Sequence, residues 1–232
     1  MLYGIIAAMD SEIESLVENM TGREEITRSG QTFHKGVIGK NGVVLLRCGI
    51  GKVSAAAGAQ AMIDIFSPDM IINTGCAGAI SEKLKIGDVV IADTCAEWDF
   101  YLGGLGLERG YLPDFGGVFM SADRELSSVI SEFAETDSDV VRGLIVSGDQ
   151  FVSEDSQRKI IKEAFPDALC AEMEGAAIGH VCIKNDLPFS IIRSISDTAD
   201  GKSTVDFQIF SGMAGKKSAA MLIRMLNSMK GE

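Results

Sequence analysis

The chain has 232 residues, 46% hydrophobic and 23% charged, within the ordinary range of globular proteins. Its net charge of −12 argues against wholesale binding of nucleic acid or an anionic membrane, since both demand basic surface. No apolar run approaches the roughly 18 residues of a membrane helix, and the scattered cysteines, without a C-x-x-C pattern, suit reduced thiols in the cytoplasm.

Leu2–Ala8 is a short apolar run that suits a buried strand; no basic segment precedes it, so it does not read as a signal peptide. In the following "MDSEIESLVENM", Ser11 with Glu14 three residues on reads as a capping box. Ile13, Leu16, Val17 and Met20 then recur at helical spacing, which puts Glu12 in the first turn. "TFHKGVIGKNGVVLLRCGI" reads as two strands joined at Asn41-Gly42, a hairpin dipeptide. Residues 52–66 are an Ala-rich helix. "MIINTG" (70–75) is a buried strand expected to end in a Gly-rich turn, "GCAGAI". "IGDVVIADTCAEW" is a longer strand, the Gly-rich 103–117 stretch an internal loop, and 121–135 a helix. The order continues with strand 140–147, a helix from about Glu154, strand 168–173, helix 174–185, strand 188–195 and a long helix after Asp206.

Strands alternating with helices imply an α/β fold with a mostly parallel sheet covered on both faces, and the early hairpin makes that sheet mixed. No linker or low-complexity stretch divides the chain, so one domain is expected over 1–232. Sites in such sheets gather at the carboxyl ends of strands. Polar or Gly-rich stretches fall there at Met9–Glu12, Gly75–Gly78, Gly148–Ser153, Glu172–Glu174 and Ser194–Asp197. Glu172 and Glu174 ask for an explanation. On an alternating strand they share a face, and two unpaired buried carboxylates there repel each other. Glu12, Glu174, Arg193 and Asp197 together read as a polar pocket in an apolar body. His34 and His180 read as structural, and no His/Cys cluster has metal-ligand spacing, so no metal is expected. "GIGKVS" lacks the first glycine of a P-loop, and no G-x-G-x-x-G follows the first strand.

The segments "GIIAAMDSEIESL", "CGIGKVSAAAGAQ", "IINTGCAGAI", "GDVVIAD", "GLIVSGDQF", "AEMEGAAIGHVC" and "RSISDTAD" occur in order. By these the chain resembles, from residue 2 to about residue 228, the 5′-methylthioadenosine/S-adenosylhomocysteine nucleosidases, a branch of the purine nucleoside phosphorylase-like superfamily. The resemblance implies a three-layer αβα sandwich around a twisted, mixed, mostly parallel sheet. It also implies a homodimer, a small-molecule nucleoside substrate and no cofactor. The implied reaction is hydrolysis of the N-glycosidic bond between adenine and a 5′-thio-substituted ribose. Asp197 resembles the acid that shares a proton with adenine N7, with Ser196 steering its carboxyl group. Backbone groups of Phe151 and Val152 resemble the readers of the adenine edge, and the Phe151 ring the stacking platform. Glu174 resembles the carboxylate that binds ribose hydroxyls, with Met173 against the sugar and Glu172 as an outer partner. Glu12 resembles the base that activates water, with Arg193 helping to hold it. Cys76, Ala77 and Gly78 join the substrate-binding set, Cys76 standing where the family often has serine. Met9, Ile50 and Phe207 resemble the apolar slot for the 5′-alkylthio group. Leu102, Leu105, Leu107 and Pro113 resemble the part supplied by the other subunit, so that the 102–113 loop closes the neighbouring site.

The stretch "EWDFYLGGLGL" (97–107) keeps only Asp99 of the family's usual His-Asp-x-Asp pattern, which leaves the 5′ substituent open. Another 5′-modified adenosine, such as aminodeoxyfutalosine, fits the same residues. A phosphorylase would need a basic cluster for phosphate, of which Arg193 alone is evident. A non-catalytic nucleoside sensor would need neither a water base nor a leaving-group acid.

Overall fold

In the computed structural model, which describes residues 1–133, 139–198 and 203–229, the apolar runs pair into a ten-stranded mixed sheet. The strands are β1 (Leu2–Ala7), β2 (Thr21–Arg28), β3 (Gln31–Ile38), β4 (Asn41–Arg47), β5 (Met70–Ala79), β6 (Val89–Glu97), β7 (Met120–Ser121), β8 (Val140–Ser147), β9 (Ala168–Glu172) and β10 (Phe189–Asp197). The helices are α1 (Asp10–Glu18), α2 (Lys52–Phe66), α3 (Arg124–Ser131), α4 (Asp155–Ala164), α5 (Gly175–Lys184) and α6 (Ser203–Ser228).

β1 lies between β4 and β5, parallel to both. β10 runs parallel to β5 and antiparallel to β6. β6, β8 and β9 follow in parallel, and β9 returns antiparallel to β5 at Gly78↔Ala171 and Ala79↔Cys170. β5, β10, β6, β8 and β9 therefore close into a ring, with β1, β4, β3 and β2 as an open wing. The closure brings the carboxyl ends of β5, β9 and β10 together.

Strand alternation divides the core. Ile71 and Ile191 point to one face, where Ala55, Ala59 and Met62 of α2 and Ala176, Ile178 and Cys182 of α5 cover them. Their neighbours Ile72 and Ile192 point to the other, under Leu16 of α1, Ile130 of α3 and Leu222 of α6. These are the three layers. Ile161 of α4 and the adjoining Phe165 seal Leu144 and Val146 of β8.

Several expectations shift. The cap of α1 is Met9, not Ser11, because the Glu12 carboxylate turns back onto the free N–H groups at the helix start. The hairpin turns two residues early, at Gly39-Lys40, where Gly39 takes a positive φ of 62°. Asn41 lies buried in β4 instead, its Nδ2 donating to the Leu226 carbonyl. β5 does not turn at "GCAGAI" but continues to Ala79, because β10 and β9 supply ladder partners there. β2, an exposed edge strand, had no apolar run to announce it. The helix expected over 121–135 is α3, Arg124–Ser131, and the end of that expectation lies outside the described residues. β10 runs on to Asp197, and α6 begins at Ser203. Among the described residues, no helix is long and apolar enough to cross a membrane.

Candidate active site

The passage from β1 into α1 is only two residues long, so Glu12 is turned back toward the end of β5. Its Oε2 accepts hydrogen bonds from the N–H groups of Ala8 (3.0 Å) and Met9 (2.9 Å). Its Oε1 accepts from the Cys76 N–H (3.0 Å), with the Cys76 thiol at 3.4 Å. Two glycines make this approach possible. A methyl group on Gly75 would lie 2.7 Å from Glu12 Oε1, and one on Gly215 of α6 would lie 2.9 Å from Glu12 Cγ. Burial, with Glu12 alongside, holds the Cys76 thiol well above the usual range, so it stays neutral.

Asp197 ends β10. The register against β5 shifts between Ile195 and Asp197, which sets Asp197 opposite Gly78. The Ser196 hydroxyl donates to Asp197 Oδ1 at 2.8 Å. A methyl group on Gly78 would lie 2.7 Å from Asp197 Oδ2, so here too a carboxylate is packed onto bare backbone.

Glu172 and Glu174 come together differently from the expected strand alternation. β9 stops at Glu172, and Glu174 is the N-cap position of α5. The charge they share is Arg193, which is 1% exposed. Its Nη2 donates to Glu172 Oε2 and Asn73 Oδ1, and lies 3.9 Å from Glu174 Oε2. Glu172 Oε2 also accepts from the N–H groups of Glu174 (3.0 Å) and Gly175 (2.8 Å), while the Ser147 hydroxyl donates to Oε1. Glu174 Oε1 accepts from the Gly51 N–H at 2.9 Å. The two carboxyl groups thus have opposite electrostatics. Burial pushes Glu172 up, but Arg193 and the surrounding donors outweigh it and hold this carboxyl below its usual range. Burial and the neighbouring Glu172 charge push Glu174 up to about 7.

A cavity of about 310 Å³ opens among these groups. Of the expected residues it is lined by Met9, Glu12, Ile50, Cys76, Ala77, Gly78, Phe151, Glu172, Met173, Glu174, Ser196, Asp197 and Phe207. Phe151 and Phe207 meet edge to face at its rim, their ring centres 5.2 Å apart. Val152 instead lines a small adjoining recess of about 30 Å³, which it shares with Gly78, Phe151 and Asp197. Arg193 does not line the cavity and stands behind its carboxylates. Leu102, Leu105, Leu107 and Pro113 lie away from this cavity, and Leu105 is 76% exposed. Sequence reasoning missed Asn73, Ser147 and Gly51, which fix Arg193, Glu172 and Glu174. Asn73 and Ser147 carried a signal, a polar side chain directly after an apolar run in a strand. Gly51 carried none, because its contribution is a backbone N–H. Among the described residues, no group of three or more His, Cys, Asp or Glu is placed to hold a metal ion.

Chemically, the cavity brings together a carboxylate fixed by backbone donors, a carboxyl group paired with a hydroxyl, and a third carboxyl raised to about 7. A family model described as the phosphorylase superfamily matches residues 2–227. A 5′-methylthioadenosine/S-adenosylhomocysteine nucleosidase of Staphylococcus carnosus is 41% identical over 228 residues, 98% of this chain and all of that one. The Streptococcus pneumoniae nucleosidase, solved with the transition-state inhibitor MT-ImmA, superposes with a TM-score of 0.93 at 37% identity, over 99% of this chain and 100% of its own. That of Colwellia psychrerythraea, solved with adenine, gives 0.95 at 34% identity, over 100% and 97%. With sequence and fold matching over nearly the whole length, this chain belongs to the phosphorylase superfamily, in its 5′-methylthioadenosine/S-adenosylhomocysteine nucleosidase family.

Proposed function

We propose that this protein hydrolyses the N-glycosidic bond of 5′-methylthioadenosine and S-adenosylhomocysteine, releasing adenine and the 5-thio-substituted ribose. The observation that carries the residue roles is the convergence of Glu12, Glu174 and Asp197 on one cavity. Adenine enters between Phe151 and the recess beside Val152, where backbone groups read its edge. Asp197 donates a proton to N7 while the C1′–N9 pair of electrons passes to the base, and Ser196 orients the acid. Positive charge grows at C1′, and Glu174, with Glu172 and Met173 behind the sugar, holds the ribose hydroxyls and stabilises that charge. A water between Glu12 and Cys76 attacks C1′ and yields its proton to Glu12. Arg193 keeps the carboxylates in place. Met9, Ile50 and Phe207 form the apolar slot for the alkylthio group.

The protein works as a cytoplasmic homodimer, a single domain per chain. Leu102, Leu105, Leu107 and Pro113, away from their own chain's cavity, close the neighbour's. Incubation with methylthioadenosine, adenosylhomocysteine, inosine and aminodeoxyfutalosine, with and without phosphate, tests the reading. Adenine and a free thioribose without phosphate are expected. A phosphate requirement would make the protein a phosphorylase, and exclusive turnover of aminodeoxyfutalosine would change the substrate.

A further inference from the structure

Outside the cavity, a second group of charges is drawn together at the start of α2. Lys52 Nζ donates to Glu97 Oε2 at 2.8 Å and to Asp99 Oδ1 at 2.6 Å, and all three side chains are at most 15% exposed. Asp99 Oδ2 accepts from the Asp149 N–H at 2.7 Å. Asp149 Oδ1 in turn accepts from the Lys52 N–H, also at 2.7 Å. These contacts form a closed circuit from the Lys52 side chain through Asp99 and Asp149 to the Lys52 backbone. His180 Nδ1, 3.1 Å from Glu97 Oε1, continues it toward α5.

The circuit touches the site at two points. Gly51, the residue before Lys52, donates the hydrogen bond to Glu174 Oε1. It does so from a positive φ of 97°, and a methyl group there would come within 3.0 Å of Asp149 Oδ1. Asp149 also begins the segment that carries Phe151 into the cavity. Without the lysine, Asp99 would lose the ammonium that faces its carboxylate, and Glu97 would keep His180 beside it. That loss opens the circuit and frees both Gly51 and the 149–151 segment.

We propose that Lys52 is a positioning residue: through Asp99 and Asp149 it sets where the Gly51 N–H meets Glu174, and so sets the recognition of the ribose hydroxyls. The proposal rests on Glu174 being the ribose-binding carboxylate. Its signature is selectivity, not activity alone. A role confined to stability lowers turnover of every substrate alike, whereas a displaced Glu174 no longer distinguishes a sugar with its hydroxyl from one without.

The test compares adenine release from 5′-methylthioadenosine and its 3′-deoxy counterpart by the wild type, Lys52→Met, Lys52→Arg and Asp99→Asn, with melting measured alongside. Asp99→Asn opens the same circuit while leaving the Lys52–Glu97 pair, so it serves even where Lys52→Met folds poorly. In Lys52→Met and Asp99→Asn, the kcat/KM ratio between the two substrates is expected to fall roughly tenfold, the scale of one charge-assisted hydrogen bond. The loss should sit mainly in KM, and Lys52→Arg should recover most of it. An unchanged ratio in a folded variant overturns the proposal whatever the absolute rate. A wild type that releases adenine from both substrates equally well overturns the reading of Glu174, and the proposal with it.

Discussion

Gly78→Ala tests the contact between Asp197 and the β5 backbone. The added methyl would lie 2.7 Å from Asp197 Oδ2 and 3.3 Å from Cγ, about 0.7 Å short of the 3.4 Å at which ordinary contact begins. Gly78 has no positive φ, so alanine adds no backbone strain, and its smaller unfolded-state entropy is worth about 0.4–1 kcal/mol toward stability. The carboxyl group must give way, because the methyl is fixed to a strand paired on both sides. Displacement by most of an ångström costs a positioned catalytic group on the order of 10²-fold, about 2.7 kcal/mol in barrier. Adenine release from methylthioadenosine under saturating substrate is the assay, with melting alongside. Asp197→Asn removes the transferable proton and should lose about 10²–10⁴-fold by itself. Both changes strike one group, so the double variant should be no worse than Asp197→Asn alone. Near-wild-type turnover by Gly78→Ala, or full additivity in the double variant, would refute the assignment of Asp197.

Glu12→Gln places an NH₂ where backbone donors converge: it faces either the Cys76 N–H or the N–H groups of Ala8 and Met9. The variant should lose about 1–3 kcal/mol of stability in chemical denaturation and, while still binding a substrate analogue, should hardly hydrolyse substrate. Cys76→Ser should keep activity within about tenfold, because the neutral thiol supports Glu12 and does not attack; a sugar adduct on Cys76 in mass spectrometry would contradict this. Glu174 keeps its proton up to about pH 7, against a usual value of 4.5, and only the ionised form accepts from both ribose hydroxyls. Below about pH 7, kcat/KM should therefore fall up to tenfold per unit, and a Glu174→Gln variant that retained this limb would assign it elsewhere. The same raised value makes the folded state the tighter proton binder, so the Glu174 contribution to stability is greatest at low pH and is lost as pH rises from 4.5 to 7. Glu172, held low, acts in the opposite direction, its contribution lost in acid.

What could be read from the sequence follows the physics of each signal. Helix α2 and strands β6 and β8 lie close to their expected places, because long apolar or Ala-rich runs depend on their own composition. The Gly75–Ala79 stretch did not, because a glycine-rich segment reads locally as a turn, and only β9 and β10, distant in sequence, make it a strand. Those glycines are there for close approach, Gly75 to Glu12 and Gly78 to Asp197. Motif resemblance named the cavity-lining residues except Ala8 and Ala171, which line it as strand-end alanines without a motif signal of their own. How Glu172 and Glu174 are held was not, since periodicity places both on one strand face. It could not say that β9 ends between them, or that an arginine two elements away would join them. Lys52 was hidden for the same reason: its partners lie 45 and 47 residues along the chain.

The opposed states of Glu172 and Glu174 explain why two carboxyl groups tolerate burial side by side. Among the described residues, Arg193 is the cation at these acids, with Glu172 against it, Glu174 at 3.9 Å and Glu12 close behind Gly75. Were all three acids ionised without a ligand, the buried site would carry surplus negative charge. The raised Glu174 relieves that surplus by holding a proton near neutrality. A sugar that brings hydroxyl donors, and then develops positive charge at C1′, favours the ionised form again. On the proposed roles, the crowding of carboxylates is relieved most in the transition state, the condition under which it would accelerate bond breaking instead of merely tightening binding. Glu172 cannot exchange roles with Glu174 in this scheme. Three hydrogen-bond donors and Arg193 fix its charge, and that fixed charge is part of what raises its neighbour.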